Sequence, residues 1–187
     1  FTADQIHNIV NHSEAKLLFV GDYVATIIDQ TKMPGLEGII YIPDYSLVVS
    51  RTDKLTYARE HLNAMFGEKY PKFFRKEHVH YYREQSPEEL ALINYTSGTT
   101  GFSKGVMIPY RAMWSNYDFA MTAVAKHIKK GDNVISILPM AHMYGMAFEF
   151  LFEFLFGCHV FYLTRVPSPA IIAAAFAEVK PAIIIAV

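Results

Sequence analysis

A short segment rich in glycine and hydroxyl side chains carries the most specific chemical signal in the chain. Its residues suited to binding phosphate are Thr96, Ser97, Gly98, Thr99, Thr100, Gly101 and Lys104. Glycines let backbone N–H groups come close to phosphate oxygens, because no Cβ stands in the way. The hydroxyls are short donors, and a lysine has a stem long enough to reach the outer phosphates. The segment therefore predicts a binding site for a nucleotide polyphosphate.

Three other interpretations fit this segment less well. A Walker loop requires Gly before its Lys and Ser or Thr after it, but Lys104 lies between Ser103 and Gly105. The dinucleotide pattern Gly-x-Gly-x-x-Gly is absent as well. A flexible Ser/Thr/Gly linker would have a similar composition, but the lysine and the apolar, strand-like run before Thr96 argue against it.

Residues 93–104 resemble the signature of the adenylate-forming superfamily, which includes acyl-CoA synthetases, peptide-synthetase adenylation domains and luciferases. Ser103 stands where that signature usually has proline. Residues 138–145, Leu-Pro-Met-Ala-His-Met-Tyr-Gly, resemble a second segment of the superfamily, with Ala141 in place of a common aromatic residue. Two motifs in the family's order are more specific than either alone. As a whole, the chain is most similar to bacterial long-chain fatty acid–CoA ligases.

The resemblance implies a reaction and roles for residues. ATP, Mg²⁺ and coenzyme A are the implied cofactors, with a long-chain fatty acid as the substrate that becomes acyl-AMP with release of pyrophosphate. Lys104 and Thr96 would stabilise the phosphates, His142 would lie beside the reacting carboxylate, and no residue is assigned as a metal ligand. Two alternatives stay open: transfer of the acyl group to a carrier protein, and a non-catalytic phosphate-binding module. Four apolar residues after His142 could line an acyl tunnel or belong to an ordinary core: Met143, Tyr144, Met146 and Phe150.

Composition limits the remaining function classes. The 187 residues carry a net charge of −1 with a pI near 6.8, which gives no general attraction to nucleic acid or to an anionic membrane. Cys158 is the only cysteine, which excludes internal disulfides and Cys-rich zinc sites. With no signal peptide in view, a cytoplasmic location is expected. We expect residues 1–187 to be one α/β fragment of the large AMP-binding domain, without the rest of that domain or the small C-terminal domain, and inactive alone.

Helical and strand-like segments alternate along the chain. The predicted helices are 54–66, 111–129 and 143–156, with N-terminal caps of further helices at Thr2 and Ser168. The predicted strands are 15–20, 38–42, 90–95, 133–138, 159–163 and 182–187. This alternation predicts an α/β fold with a doubly wound, mostly parallel sheet flanked by helices. Ligands bind at the carboxyl edge of such sheets, so residues 96–104 and 139–145 are expected at the same edge.

Two charged features have no assigned role at this stage. Glu149 and Glu153 lie one turn apart on a predicted helix and are expected to mark its solvent-exposed side. Residues 69–83 interleave basic and aromatic side chains, which suits peripheral contact with a membrane surface, contact with nucleic acid, or an ordinary solvated face. A solvated face is the favoured interpretation, and nucleic acid is not expected as a partner.

Overall fold

The structure, a computed structural model, describes residues 1–83, 85–96, 103–163 and 166–186. The helices are α1 (Ala3–His12), α2 (Asp22–Ile27), α3 (Asp53–Glu60), α4 (Leu62–Lys69), α5 (Tyr110–Ala123), α6 (Glu153–Phe156) and α7 (Pro169–Val179), with a π-helix over Gly145–Phe152. The strands are β1 (Leu17–Val20), β2 (Gly38–Tyr41), β3 (Leu47–Ser50), β4 (Leu90–Thr96), β5 (Lys104–Pro109), β6 (Asn133–Ser136) and β7 (His159–Tyr162). The predicted α/β class is confirmed.

The chain divides into two compact units. The first contains residues 1–83 and 95–105, and the second contains residues 84–94 and 106–187. Within the described residues the strands form three small sheets: β1-β2-β3, β4-β5 and β6-β7.

The first unit is built around the sheet β1-β2-β3. Strand β1 pairs with β2 in parallel, and β2 pairs with β3 in antiparallel orientation. The predicted capping box of α1 is confirmed, since Thr2 accepts a bond from the Gln5 backbone N–H while the Gln5 side chain accepts one from Thr2 N–H. Five buried side chains form the core of this unit: Val10, Val20, Met33, Leu36 and Ile39.

The second unit packs helices against the parallel pair β6 and β7. Val134 and Ile135 of β6 are buried, and Phe152 of the π-helix joins Ala120 and Ile128 in the core. Ser168 caps α7 through a bond from Ile171 N–H, with proline at the first helical position, as predicted.

Two predicted helices have the wrong extent. The helix predicted over 111–129 ends at Ala123 and is followed by a 3₁₀ turn, Ala125–His127. That turn keeps Ala125 and Ile128 on the core, so the apolar pattern continues although the α-helix has ended. The helix predicted over 54–66 is two helices, α3 and α4, which meet at His61.

The last predicted strand is also different in the structure. Over the described part of 182–187, Ile183 forms a single parallel bridge with Val134, and Ala182 N–H donates to the Asn133 carbonyl. An apolar run shows that a segment is suited to a sheet, but not that a full ladder forms there.

Among the residues that the structure describes, no helix combines the length and apolar character needed to cross a bilayer.

Candidate functional site

The glycine-rich segment is bracketed by two paired strands. Thr96 ends β4 and Lys104 begins β5, and both residues are exposed. The other predicted phosphate-binding residues lie outside the described residues: Ser97, Gly98, Thr99, Thr100 and Gly101. Strands β4 and β5 are neighbours in one two-stranded sheet, so Thr96 and Lys104 each belong to a strand of that sheet.

Tyr95, next to Thr96, has a partner that the sequence does not reveal. Its hydroxyl lies 2.7 Å from Nδ1 of His12, and the two rings pack edge to face with centroids 5.8 Å apart. These residues are 83 positions apart, and no local pattern connects them. His12, in the last turn of α1, therefore helps to fix the end of β4 at the residue before Thr96.

The second motif forms a tight turn that presents His142. The His142 N–H donates to the Pro139 carbonyl at 2.9 Å, and the His142 carbonyl accepts from Met146 N–H at 2.9 Å. The Tyr144 N–H donates to Nδ1 of His142 at 3.3 Å. In a neutral imidazole this bond leaves the proton on Nε2. Because the His142 side chain is exposed, Nε2–H can serve as a donor to an incoming carboxylate.

Gly145 allows the helix after this turn to approach the turn itself. A Cβ at Gly145 would lie 2.7 Å from the Pro139 carbonyl oxygen and 3.2 Å from Cβ of Leu138. The first contact is with backbone, which cannot rotate away as a flexible side chain would. The final glycine of the motif therefore has a packing role that its spacing alone does not reveal.

We expect Gly145→Ala to lower the free energy of unfolding by about 1–3 kcal/mol, the usual cost of overpacking. The matched control is Gly67→Ala, because Gly67 is also helical but has no atom within 4 Å of an added Cβ. Alanine there should stabilise the protein by up to about 1 kcal/mol through helix propensity. Urea unfolding of both variants measures the difference. Equal effects at the two positions would show that the approach to Pro139 is unimportant.

A side-chain hydrogen bond connects the two motifs. Asn94 Nδ2 donates to the carbonyl of Ala141 at 2.9 Å. Asn94 lies two residues before Thr96, and Ala141 immediately precedes His142. The carboxyl-terminal part of β4 is thus bonded to the turn that follows β6.

The expectation that Glu149 and Glu153 face solvent is wrong. Both residues are 1% exposed. Glu149 Oε2 accepts hydrogen bonds from Ser136 Oγ, Ile137 N–H and Leu138 N–H. Spacing on a helix cannot reveal such donors, because they come from another segment of the chain.

Glu153 keeps its proton near neutral pH. Burial, and secondly the negative charge of Glu149, raise the pKa of the Glu153 carboxyl to about 8.

A cavity of about 280 Å³ lies beside the same turn. Residues 136–140 line one side of it, and Tyr162, Leu163 and Pro167 line the other. Its volume is close to the lower limit for small-molecule sites. Within the described ranges, no group of three or more His, Cys, Asp or Glu side chains could hold a metal ion.

Comparisons with known proteins identify the family. The family model described as AMP-binding enzyme matches residues 1–187. Long-chain-fatty-acid–CoA ligase 1 of Homo sapiens is 30% identical over 164 residues, which cover 83% of this chain and 22% of the relative. The chain thus spans about a fifth of that relative's length.

Solved structures show the same fold. A red-emitting luciferase of Phrixothrix hirtus superposes with a TM-score of 0.75 at 18% identity, covering 97% of this chain and 33% of the luciferase. An anthranilate CoA ligase in complex with anthranoyl-AMP gives a TM-score of 0.70 at 16% identity, covering 98% of this chain and 33% of the ligase. The chain therefore belongs to the AMP-binding enzyme family, the adenylate-forming superfamily that its two motifs resemble.

Proposed function

We propose that this chain supplies the phosphate-binding and carboxylate-binding segments of an ATP-dependent acyl-CoA ligase. The observation that carries the proposal is the hydrogen bond from Asn94 to Ala141, because Asn94 belongs to the first motif and Ala141 to the second. One reaction then uses both motifs. The family match over the whole chain supports the same conclusion.

The proposed reaction begins with the carboxylate of an acid. A carboxylate is a poor acyl donor, since its leaving group would be oxide. Attack of a carboxylate oxygen on the α-phosphorus of ATP forms the mixed anhydride acyl-AMP and breaks the bond to pyrophosphate. The thiolate of coenzyme A then attacks the acyl carbon, which forms the thioester and releases AMP.

The residues of this chain act mainly by position and charge. Lys104 neutralises charge that collects on the departing pyrophosphate, and the Thr96 hydroxyl donates to the phosphate oxygens. His142 donates from Nε2 to the carboxylate and holds the attacking oxygen toward phosphorus. The proposed phosphate contacts of Ser97, Gly98, Thr99, Thr100 and Gly101 complete the binding of the polyphosphate.

Magnesium belongs in this proposal as part of the nucleotide substrate. Mg²⁺ is usually held by one or two carboxylates together with substrate phosphates. We assign Mg²⁺ to the ATP phosphates, where it offsets negative charge, and name no ligand from this chain.

A long-chain fatty acid is the proposed acyl substrate. The similarity to the human long-chain-fatty-acid–CoA ligase supports this choice. Apolar side chains also follow His142, where an acyl chain would begin. Met143, Tyr144, Met146 and Phe150 are the proposed lining of the tunnel.

The identity of the products tests the proposal. The complete polypeptide that carries this chain is incubated with ATP labelled at the α-phosphate, magnesium and palmitate. We expect labelled palmitoyl-AMP and an equal amount of pyrophosphate, with labelled AMP and palmitoyl-CoA formed when coenzyme A is added. Labelled ADP would show a kinase-like reaction and overturn the proposal. Acyl-AMP that coenzyme A does not consume, but a carrier protein does, would exclude the CoA ligase and favour the carrier-protein alternative.

A further inference from the structure

Glu149 makes an unusual set of bonds for a buried carboxylate. Its Oε2 accepts from Ser136 Oγ at 3.0 Å, from Ile137 N–H at 3.0 Å and from Leu138 N–H at 2.7 Å. All three donors lie where the chain leaves β6, which ends at Ser136. Burial of a carboxylate costs several kcal/mol unless donors compensate for the lost water. Here the segment that leads to His142 supplies three donors to Oε2, whereas Oε1 has no hydrogen-bond partner among the described residues.

The same segment is also held near its other end. Asn94 Nδ2 donates to the Ala141 carbonyl at 2.9 Å, and Gly145 packs close to the Pro139 carbonyl. Glu149 therefore fixes the N–H groups at the start of residues 137–142, while Asn94 fixes a carbonyl near their end. The Glu149 and Asn94 side chains thus bind backbone groups that lie beyond the end of β6 and outside its ladder.

We propose that Glu149 is a positioning residue, whose carboxylate holds residues 137–142 in the conformation that presents His142 to the acyl carboxylate. The proposal rests on the proposed function only for the role of His142. The bonds from Glu149 to Ser136, Ile137 and Leu138 can be tested without substrate.

The second buried carboxyl group has no part in these bonds. Glu153 is also 1% exposed, and the two glutamates are four residues apart. Burial, with the charge of Glu149 as the second cause, raises the pKa of Glu153 to about 8. Glu153 therefore keeps its proton near neutral pH, whereas Glu149 accepts from the three donors at the end of β6.

The helix geometry brings Glu149 to these donors. Glu149 lies within the π-helix Gly145–Phe152, whose turns are wider than those of an α-helix. Such segments are rare and are often found at functional sites, because they place a side chain where the α-helical register would not. The register of this helix sets which side chain faces the end of β6.

Two substitutions of Glu149 distinguish the effect of its acceptor oxygen from the effect of its charge. Glu149→Gln keeps a carbonyl oxygen that can accept the same bonds, whereas Glu149→Leu removes every acceptor. Glu153→Leu is the matched control, since it changes a carboxyl of equal burial four residues further along the chain. All three are made in the complete polypeptide that carries this chain.

The first measurement is amide hydrogen exchange at Ile137 and Leu138 without substrate. We expect exchange about 100-fold faster in Glu149→Leu and about three- to tenfold faster in Glu149→Gln, because bonds to a charged acceptor are stronger than bonds to a neutral one. Glu153→Leu should leave these two amides unchanged. Wild-type exchange at Ile137 and Leu138 in Glu149→Leu would overturn the proposal. If that variant does not fold, unchanged exchange in Glu149→Gln overturns it instead.

The second measurement is the kinetics of acyl-AMP formation. In Glu149→Leu we expect kcat/KM for palmitate to fall by about 10–100-fold, as when a catalytic group is misplaced, with the KM for ATP unchanged within twofold. Glu149→Gln should recover most of this loss. An equal loss in Glu149→Leu and Glu153→Leu would reveal a general packing effect and reject a positioning role.

Failure of the proposed function would be visible separately. If the wild-type polypeptide forms no acyl-AMP from any acid, the ligase assignment is wrong. The exchange rates of Ile137 and Leu138 would then still decide whether Glu149 holds the turn.

Discussion

Replacement of Lys104 by alanine is expected to reduce the rate of pyrophosphate formation by on the order of 10²–10³-fold, the range seen when other charge-stabilising donors are lost. Lys104 is exposed at the start of β5, directly after the glycine-rich segment. The proposed contact of its ammonium group with a polyphosphate therefore requires no packing to be broken. The loss should appear mainly in kcat, because negative charge builds up on pyrophosphate as the bond to the α-phosphorus breaks.

The measurement is the initial rate of pyrophosphate release by the complete polypeptide with saturating ATP and palmitate. Lys126→Ala is the control, since Lys126 is an exposed lysine in the 3₁₀ turn Ala125–His127, and it should retain the wild-type rate. Lys104→Arg should recover part of the activity, because it keeps the charge but changes the shape of the donor. A Lys104→Ala rate within threefold of wild type would remove Lys104 from the proposed machinery.

Local sequence patterns predicted much of this fold. The caps at Thr2 and Ser168 are where the sequence places them, because a cap depends on a few neighbouring residues. Strands β1, β2, β4, β6 and β7 all fall within or close to predicted segments. The ends of α5 and α3 were missed, since an apolar stripe can continue through a 3₁₀ turn or a break.

The motifs identified candidate residues but not the contacts that support them. His12 bonds to Tyr95, Asn94 bonds to Ala141, and Glu149 bonds to the chain after Ser136. Two of these bonds join residues separated by 83 and 47 positions, which no local pattern can connect.

The prediction that Glu149 faces solvent is wrong for a different reason. Paired glutamates on a helix usually face water, and only the three donors make burial of this carboxylate favourable.

Burial of Glu153 has a large expected consequence for stability. Its pKa in the folded protein is about 8, whereas its ordinary value is 4.5. Between these two pH values, the folded form keeps a proton that the unfolded chain has released. The contribution of Glu153 to stability is therefore fully present below pH 4.5 and is lost as the pH rises toward 8. The slope is up to about 1.4 kcal/mol per pH unit.

We expect Glu153→Gln to remove this dependence, because glutamine keeps the shape of the protonated acid and cannot ionise. From pH 4.5 to pH 8, the free energy of unfolding of the variant should rise relative to wild type by about 3–5 kcal/mol. Burial and the charge of Glu153 also raise the pKa values of Cys158 and Tyr162 above their ordinary values. Both groups therefore lose their protons above this pH range and do not affect the comparison.

Urea unfolding at pH 5, 6, 7 and 8 measures the difference between Glu153→Gln and wild type. Glu178→Gln is the control, because it removes an exposed carboxylate from α7 and should leave the wild-type pH profile unchanged. The Glu149 carboxylate remains in both proteins, so the comparison isolates the proton on Glu153. Parallel profiles for Glu153→Gln and wild type would mean that Glu153 is ionised in the folded protein. Glu153 would then need a donor of its own.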